Sequence, residues 1–210
     1  MPERARLRVG VLASGRGSNL QAMVAAAAEG RIPAAIVLLL SDRGEAGALE
    51  IARAHGIAAD VVEPREHPGR EAHDKALIER LESRRVGLVC LAGYMRILGT
   101  VFVEHFRGRL LNIHPSLLPA FPGLHPQRQA LEHGVRVAGA TVHFVDQGTD
   151  TGPIVLQAAV PVLPDDTEAT LSARILAEEH RIYPDAIRLF AEGRLHIEGR
   201  RVRILGEGRA

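Results

Sequence analysis

Short apolar runs alternate with amphipathic or alanine-rich runs for most of the chain. The first half predicts strands at 7–13, 34–40, 57–62, 88–92 and 110–113, with helices at 19–28, 46–55, 71–84 and 100–106 between them. In the run 71–84, Ala72, Ala76, Leu77 and Leu81 fall on one helical face, opposite the charged residues. This strand–helix alternation predicts a doubly wound, mostly parallel α/β sheet flanked by helices.

The second half continues the pattern with longer elements. It predicts a helix at 126–132, strands at 137–145 and 154–162, and a long helix at 167–190 with a bend at Pro184. The tail 195–205 alternates apolar and polar residues around Glu198-Gly199, which predicts a C-terminal hairpin. With no internal repeat or linker, residues 1–210 are expected to form a single domain.

Composition and charge narrow the class of protein. Hydrophobic residues make up 46% of the chain and charged residues 24%, as in ordinary globular proteins. The formal net charge of +1 gives no bulk attraction to nucleic acid or to anionic membranes. Cys90 is the sole cysteine, and the longest apolar run, 32–40, is too short to span a bilayer. A cytoplasmic protein with neither nucleic-acid nor membrane partners is expected.

A candidate catalytic site lies in the run Leu110–Pro119 (LLNIHPSLLP). Pro115 ends the strand, and side chains alternate along it, so Asn112 and His114 share a face at the end where open α/β sheets bind ligands. An amide donor beside an imidazole suits acyl-group chemistry through an oxyanion, with Asp150 as a candidate to orient the imidazole. By itself His114 would more often be a core histidine; its neighbour Asn112 favours catalysis. The role of Asp150 requires that it reach His114.

The loop Ser14–Leu20 (SGRGSNL) joins the first strand to the first helix. Its glycines and the helix N-terminus suit a phosphate, and Ser18 and Asn19 are candidate helix caps. A plain capped glycine turn is an equally good interpretation of the loop alone. A dinucleotide fingerprint needs a third glycine where Leu20 stands, so NAD binding is disfavoured even though Asp42 follows the second strand.

Other candidate chemistry is weaker. The ten histidines form no His-Glu-x-x-His motif and there is no Cys-x-x-Cys, so no metal site is predicted. Cys90 lies in an apolar strand and is expected to act as a small hydrophobe. The run Gly93–Leu98 follows the fourth strand at the same sheet edge as His114. It either lines a pocket for a flat ligand or packs as an ordinary strand–helix junction, and periodicity alone favours packing.

Five segments in this order and spacing together resemble the glycinamide ribonucleotide formyltransferases, folate-dependent enzymes of purine biosynthesis. They are Ser14–Gln21 (SGRGSNLQ), Leu91–Leu98 (LAGYMRIL), Leu110–Pro119 (LLNIHPSLLP), Asp150–Pro153 (DTGP) and Glu179–Pro184 (EHRIYP). The resemblance extends from Val9 to about Gly193. It implies a Rossmann-like formyltransferase fold and replaces the packing interpretation of Gly93–Leu98 with a folate-binding role.

The resemblance implies transfer of a formyl group from the co-substrate 10-formyltetrahydrofolate to the amine of 5-phosphoribosylglycinamide. The products are formylglycinamide ribonucleotide and tetrahydrofolate, and the amine attacks directly, without a covalent enzyme intermediate. Asn112 is then expected to hydrogen-bond the formyl oxygen, and a protonated or proton-donating His114 to help protonate the departing folate nitrogen. Asp150 is expected to hold the charged imidazole, since an adjacent carboxylate raises a histidine pKa.

The resemblance also implies two ligand sites. The residues for the ribonucleotide are Gly17, Ser18, Asn19 and Glu179, and those for folate are Arg70, Met95, Arg96, Ile97, Leu98 and Asn112. Residues 1–100 would form the phosphate-binding half and 101–210 the folate and catalytic half of the single domain. Only small-molecule substrates are expected, no metal, and a monomer or homodimer. Leu176 stands where some family members carry a polar residue beside the substrate, which puts one secondary contact in doubt.

Related activities share the Asn-His-Asp core. Methionyl-tRNA formyltransferase adds a basic C-terminal domain, and the balanced charge here argues against it. Formyltetrahydrofolate hydrolase adds a regulatory module before the catalytic domain, for which the first strand at about Leu7 is expected to leave no room. The phosphate loop Gly17–Asn19 favours a small phosphorylated acceptor over the sugar nucleotides of a third relative. A nicotinamide-dependent dehydrogenase is disfavoured by Leu20, and a non-catalytic nucleotide-binding module would leave Asn112 and His114 without a purpose.

Overall fold

The computed structural model describes residues 6–206 and contains one sheet with helices on both sides. The strands are β1 (Leu7–Leu12), β2 (Ala34–Ser41), β3 (Ala58–Val61), β4 (Leu88–Leu91), β5 (Leu110–His114), β6 (Val137–Phe144), β7 (Ile154–Pro161), β8 (Leu195–Glu198) and β9 (Arg201–Ile204). The helices are α1 (Ser18–Ala28), α2 (Gly47–Ala54), α3 (Arg70–Ser83), α4 (Thr100–His105), α5 (Pro126–Glu132) and α6 (Glu168–Ala191), with one 3₁₀ turn at Pro64–Glu66. The predicted elements are all present within a few residues.

The strands lie in the order β3-β2-β1-β4-β5-β6-β7-β9-β8. The first five of these run parallel, and β7 and β9 point the same way, whereas β6 and β8 run antiparallel to their neighbours. Strand β5 is therefore in the middle of the sheet, and the predicted mostly parallel sheet with a C-terminal hairpin is confirmed. The reversal at β6 brings its residues alongside β5, with Asn112 opposite His143 and His114 opposite Thr141.

Each face of the sheet has its own hydrophobic core. Val9, Val11, Leu111 and Ile113 pack with α1, α2, α5 and α6 on one face. Leu12, Leu38, Leu40 and Leu110 pack with α3 and α4 on the other. Because side chains alternate along β5, Asn112 and His114 project on the same side as α3 and α4. Both residues therefore lie on one face, as the strand pattern predicts.

One local expectation is wrong, and another holds only in part. Helix α1 begins at Ser18, and its N-cap is Gly17 with φ +84°. No side chain caps the helix, so the expectation that Ser18 or Asn19 does so is wrong. In α3 the buried residues are His73, Asp74, Leu77 and Leu81, whereas Ala72 and Ala76 are only half-buried. Helix α3 thus turns a histidine and an aspartate inward, which a count of apolar positions does not reveal.

The long helix α6 packs against α1 and against strands β6 and β7. It is a single element from Glu168 to Ala191, with Pro184 inside it, and a capping box formed by Thr167 and Thr170 closes its N-terminus. The buried Tyr183 hydroxyl lies 2.9 Å from the Leu91 carbonyl oxygen at the end of β4. That contact fixes the register of α6 relative to the sheet.

Within residues 6–206, no helix combines the length and the apolarity that crossing a membrane requires.

Candidate active site

Four polar side chains form one cluster beside the end of β5. Asn112 Nδ2 lies 3.2 Å from His143 Nε2 and 3.5 Å from Asp150 Oδ1. His114 Nδ1 lies 3.4 Å from Asp150 Oδ2. The structure thus brings together the three predicted catalytic residues Asn112, His114 and Asp150, with the Asp150 carboxylate between the amide and the imidazole.

The loop from Val145 to Pro153 carries Asp150 to this position. Asp150 adopts φ +54°, and its Oδ2 accepts a 2.8 Å hydrogen bond from the Gly123 N–H. The loop can pass this close to β6 only because residue 152 is a glycine: a Cβ there would come within 1.8 Å of the Phe144 carbonyl oxygen. The Asp150 loop and the Pro- and Gly-rich loop after β5 therefore hold each other in place.

His143 is a member of the cluster that sequence analysis missed. Its Nδ1 lies 2.8 Å from the Phe144 carbonyl oxygen, which can only accept, so Nδ1 carries a proton. In the neutral ring Nε2 then accepts from Asn112, and this hydrogen bond orients the amide. The sequence does contain a pattern that points to His143, because alternation along β6 places Thr141 and His143 on one face. This pattern identifies His143 as a neighbour of Asn112 only once β6 is known to run antiparallel beside β5.

The two ring nitrogens of His114 have different partners, a backbone carbonyl for one and the Asp150 carboxylate for the other. Its Nε2 donates to the Phe121 carbonyl oxygen at 2.9 Å, so Nδ1, facing Asp150, is the atom that gains or loses a proton. Burial lowers the pKa of His114 below its ordinary value, although the hydrogen bond to Phe121 and the charge of Asp150 both raise it. Asp150 acts in the expected direction, but burial outweighs it in the ligand-free protein.

The carboxylate of Asp150 stays ionised in this cluster. Burial alone would raise its pKa, but the side chain of His143 beside it, the hydrogen bond from the Gly123 N–H and the charge that His114 and His143 carry when protonated outweigh burial and hold the pKa below its usual range. A fixed negative charge therefore stands beside His114 Nδ1 at neutral pH. The cluster can orient a donor at a developing oxyanion and stabilise a positive imidazole, which is the equipment of acyl transfer.

The loop before α1 offers backbone donors to an anion. Gly17 has φ +84°, and a Cβ there would come within 2.7 Å of the Ala48 Cα, so only glycine fits this turn. Because no side chain caps α1, the N–H groups of its first turn, at Ser18 and Asn19, remain free for a ligand. The absence of a cap thus favours the phosphate interpretation over the capped turn.

Asn19 and Glu179 meet although they are far apart in sequence. Asn19 Nδ2 donates to Glu179 Oε2 at 2.7 Å in a buried contact, and Asn19 Oδ1 is buried without a partner. Burial raises the pKa of Glu179 despite the hydrogen bond from Asn19. All four residues assigned to the ribonucleotide therefore belong to one region, the N-terminus of α1 and the adjacent face of α6.

Five of the six residues assigned to folate line one pocket of about 440 Å³, and the sixth, Asn112, is not part of its lining. Its lining includes Arg70, Met95, Arg96, Ile97 and Leu98. Residues Met95 and Ile97 are 61% and 70% exposed, which is unusual for apolar residues of this size and suits a ligand surface. The segment follows β4, whose Leu91 pairs with Asn112 on β5, so this pocket and the catalytic cluster lie at the ends of adjacent strands.

The alternative of a dinucleotide site fits the structure poorly. Leu20, at the position of the third fingerprint glycine, is completely buried in the core. Asp42, the candidate ribose ligand, is 7% exposed, and its Oδ1 is buried. Among residues 6–206, no cluster of three or more His, Cys, Asp or Glu side chains is arranged to hold a metal ion.

Comparison with known proteins agrees with this geometry. Residues 7–187 match the model of the family described as formyl transferase. The chain is 47% identical over 189 residues to phosphoribosylglycinamide formyltransferase of Escherichia coli K12, covering 90% of this chain and 89% of that protein. A crystal structure of glycinamide ribonucleotide transformylase 1 from Symbiobacterium toebii superposes with a TM-score of 0.95 at 62% identity, covering 96% of this chain and 95% of that one.

Longer proteins contain a similar region. The trifunctional purine biosynthetic protein adenosine-3 of Drosophila pseudoobscura pseudoobscura is 51% identical over 198 residues, which is 93% of this chain. The chain spans only 14% of that relative's length. The family match covers most of this chain, including every residue of the catalytic cluster and of both candidate ligand sites. The chain belongs to the formyl transferase family.

Proposed function

We propose that this chain transfers a formyl group from 10-formyltetrahydrofolate to the amine of phosphoribosylglycinamide. The observation that carries the proposal is the cluster of Asn112, His114, His143 and Asp150, which lies at the same sheet edge as a pocket suited to folate and an anion-binding helix terminus. A single domain supplies both sites. The catalytic trio lies within residues 101–210 as expected, but the pocket residues Arg70 and Met95–Leu98 lie within residues 1–100, so the expected division into a phosphate half and a folate half does not describe the pocket. The names of the relatives with high coverage support this substrate pair.

Asn112 stabilises the oxygen of the transferred group. Its Nδ2 has two N–H bonds; one points to His143 Nε2 at 3.2 Å, and the other has only the distant Asp150 Oδ1 at 3.5 Å. The weakly held N–H is available to an oxygen that gains negative charge as the amine attacks. Since the amide is already oriented by His143, little reorganisation is required when the charge develops.

His114 carries the proton that moves during formyl transfer, and Asp150 stabilises the protonated ring. In the neutral imidazole, Nδ1 faces the Asp150 carboxylate, and protonation there creates an ion pair in a buried site. The amine loses a proton and the departing nitrogen gains one during transfer. Because Nε2 is bonded to the Phe121 carbonyl, Nδ1 is the ring atom through which His114 takes up and releases that proton, and Asp150 stabilises the positive ring in between. Asp150 accepts no proton itself, because its pKa is held low.

The acceptor is held at two places. The free N–H groups of the first turn of α1 bind the phosphate, with Gly17 permitting close approach. Glu179 faces the glycinamide end, and the loss of its bond to Asn19 on substrate entry would free both side chains for the ligand. Burial raises the pKa of the Glu179 carboxyl, and an N–H of the neutral glycinamide end can take the place of the Asn19 donor at its Oε2.

Folate fits the pocket between α3 and the segment after β4. Arg70 and Arg96 supply positive charge at its rim for the carboxylates of the folate tail, while Met95, Ile97 and Leu98 supply apolar contact for the rings. The co-substrate is thereby held at the sheet edge beside Asn112. Folate chemistry of this kind, in an enzyme of purine biosynthesis, supports the cytoplasm as the location.

An acceptor screen tests the proposal. Purified protein is incubated with 10-formyltetrahydrofolate and, in separate reactions, phosphoribosylglycinamide, its dephosphorylated form, formylatable tRNA, a sugar-nucleotide amine, or water alone. We expect fast formylation of phosphoribosylglycinamide only, with the dephosphorylated form slower by at least tenfold because the contacts to the α1 N-terminus are lost. Faster turnover with tRNA, the sugar nucleotide or water would identify a different member of the family.

A further inference from the structure

The segment Gly93–Gly99 has no regular secondary structure, yet it must present the folate pocket in a fixed shape. Two side chains from other elements accept hydrogen bonds from its backbone. Ser14 Oγ accepts from the Met95 N–H at 2.8 Å, and Asp74 Oδ2 accepts from the Gly99 N–H at 2.8 Å. A Cβ on Gly99 would come within 2.4 Å of Asp74 Oδ2, so that end of the segment is tightly fitted. The segment is therefore held at both ends.

The two anchors differ in what they connect. Asp74 belongs to α3, which also carries Arg70 of the same pocket, so this anchor stays within the folate site. Ser14 belongs to the loop that follows β1 and leads within four residues to Ser18 at the N-terminus of α1. Its N–H also donates to the Gly93 carbonyl oxygen at 3.2 Å. Ser14 is thus joined to the folate segment by two hydrogen bonds and to the phosphate loop by the chain itself.

Burial and packing make this connection stiff. Ser14 is 5% exposed and follows Ala13, which donates to the Leu40 carbonyl oxygen on the neighbouring strand. On the other side of Ser14, the Gly15 carbonyl oxygen accepts from the Ala48 N–H at 3.1 Å. This hydrogen bond ties the chain between Ser14 and the phosphate loop to α2. If the phosphate loop moves, Ser14 is therefore expected to move with it and to shift the Met95 backbone through the hydrogen bond to Ser14 Oγ.

From this arrangement we propose that Ser14 is a positioning residue that sets the folate-binding segment relative to the ribonucleotide phosphate loop. The inference rests on the proposed function and adds a residue that neither ligand needs to touch. The reacting amine and the formyl carbon are held by ligands anchored in these two loops, and a misplacement of about 1 Å can cost on the order of a hundredfold in rate. One hydroxyl thus contributes to the alignment of the two substrates.

The test compares Ser14→Ala, Ser14→Thr and a control, Ser41→Ala. Ser41 is also buried at the end of a neighbouring strand, but its Oγ bonds only to the backbone of Arg43. For Ser14→Ala we expect kcat, measured at saturation with both substrates, to fall about tenfold or more. The Kd of phosphoribosylglycinamide alone should stay within about twofold, since the backbone donors are unchanged.

The other variants separate alignment from packing. Ser14→Thr keeps the hydroxyl and should recover most of kcat, and Ser41→Ala should leave kcat and Kd as in the wild type. The inference is overturned if Ser14→Ala retains kcat within twofold, if its loss appears wholly as weaker acceptor binding, or if Ser14→Thr is no better than alanine. If the wild type formylates phosphoribosylglycinamide but Ser14→Ala, Ser14→Thr and Ser41→Ala all have the same kcat, only the inference about Ser14 is refuted. If the wild type does not formylate this acceptor, the proposed function is refuted.

A measurement on the wild type stands even if Ser14→Ala does not fold. Hydrogen exchange of the Met95 amide should slow when phosphoribosylglycinamide is added without folate, because the phosphate immobilises the loop that carries its acceptor. The Gly99 amide, held by Asp74, should change less. Equal exchange of Met95 with and without the acceptor would overturn the inference.

Discussion

The catalytic cluster depends on single hydrogen bonds between side chains from three segments of the chain. Asn112 is oriented by His143, and Asp150 stands between Asn112 and His114. Such a group works as a unit, because each side chain fixes the protonation or the direction of the next. Substitutions within it are expected to be strongly non-additive.

Replacement of Asn112 should have a large effect on turnover. Asn112→Ala removes the donor directed at the developing charge, and loss of one such donor costs about a hundredfold to a thousandfold in kcat. The measurement is kcat at saturating substrates, with folding checked by circular dichroism. Gln127→Ala is the control, because Gln127 is a partly exposed amide on α5, outside the catalytic cluster. A folded Asn112→Ala with turnover near that of the control would contradict the assigned role.

The pKa of His114 provides a second test, on the ligand-free protein. Burial lowers this pKa while Asp150 raises it, so Asp150→Asn should lower it further. NMR titration of the His114 ring in the wild type and in Asp150→Asn would measure both values. An equal or higher pKa in the variant would show that Asp150 does not act on the imidazole.

The same shift has a consequence for stability. A histidine with a lowered folded pKa binds fewer protons in the folded protein than in the unfolded chain. Above the pKa that His114 has in the unfolded chain, the ring is neutral in both states and does not reduce the free energy of unfolding. As the pH falls from that pKa to the lower pKa of the folded protein, the unfolded chain takes up a proton first, and the free energy of unfolding decreases.

At this scale the sequence predicts some residues and misses others for physical reasons. Strand alternation places Asn112 and His114 on one face without any knowledge of the tertiary structure. It does not show that Asp150 reaches them, because that contact depends on a loop that folds back over β6. His143 was missed because its partner across the sheet is set by strand order, and His73 and Asp74 because charged residues are usually exposed on a helix.

At the scale of elements, the site depends on the packing of the Asp150 loop against β6. Gly152→Ala would place a Cβ about 1.8 Å from the Phe144 carbonyl oxygen, a backbone atom of a strand, so the loop must move. We expect a loss of about 1–3 kcal/mol in the free energy of unfolding and a fall in kcat, as Asp150 leaves Gly123 and His114. Urea denaturation and steady-state kinetics measure the two.

Gly44→Ala is the matched control for this substitution. A Cβ at Gly44 meets only Glu63 Oε1, at 4.0 Å, so stability and kcat should be close to those of the wild type. If Gly152→Ala also retained wild-type kcat, the position of the loop would not matter for catalysis.

The elements themselves were predicted more fully than their arrangement. The nine strands and six α-helices of residues 6–206 were predicted to within a few residues, but the 3₁₀ turn Pro64–Glu66 was not, and the hairpin follows from alternation around Glu198-Gly199. The direction of β6 does not follow, because a strand of the same composition pairs in either direction. The uncapped start of α1 is the opposite case: Ser18 and Asn19 are good caps by type, but the left-handed Gly17 makes Ser18 the first helical residue.

At the scale of the whole molecule, the sheet brings distant segments to one edge. The phosphate loop follows β1, the folate segment follows β4, and Asn112 and His114 end β5, so three adjacent parallel strands carry most of the site. Helix α6 adds Glu179 to it, and the loop between β6 and β7 adds Asp150. The edge strands β3 and β8 lie away from this centre, which predicts that the site tolerates changes at the edges of the sheet.

The C-terminal hairpin β8–β9 allows that tolerance to be tested. It joins the sheet through one registered pair, Ile154 with Arg201, and Leu195 and Val202 are only partly buried against the core. A chain ended after Gly193 should therefore fold, lose about 1–3 kcal/mol in the free energy of unfolding from the two apolar contacts, and keep kcat within about twofold. A chain ended after Leu205 retains the hairpin and is the control, expected to match the full chain in both. Turnover reduced more than tenfold in the folded shorter chain, with the control unaffected, would mean that the hairpin supports the active site through β7.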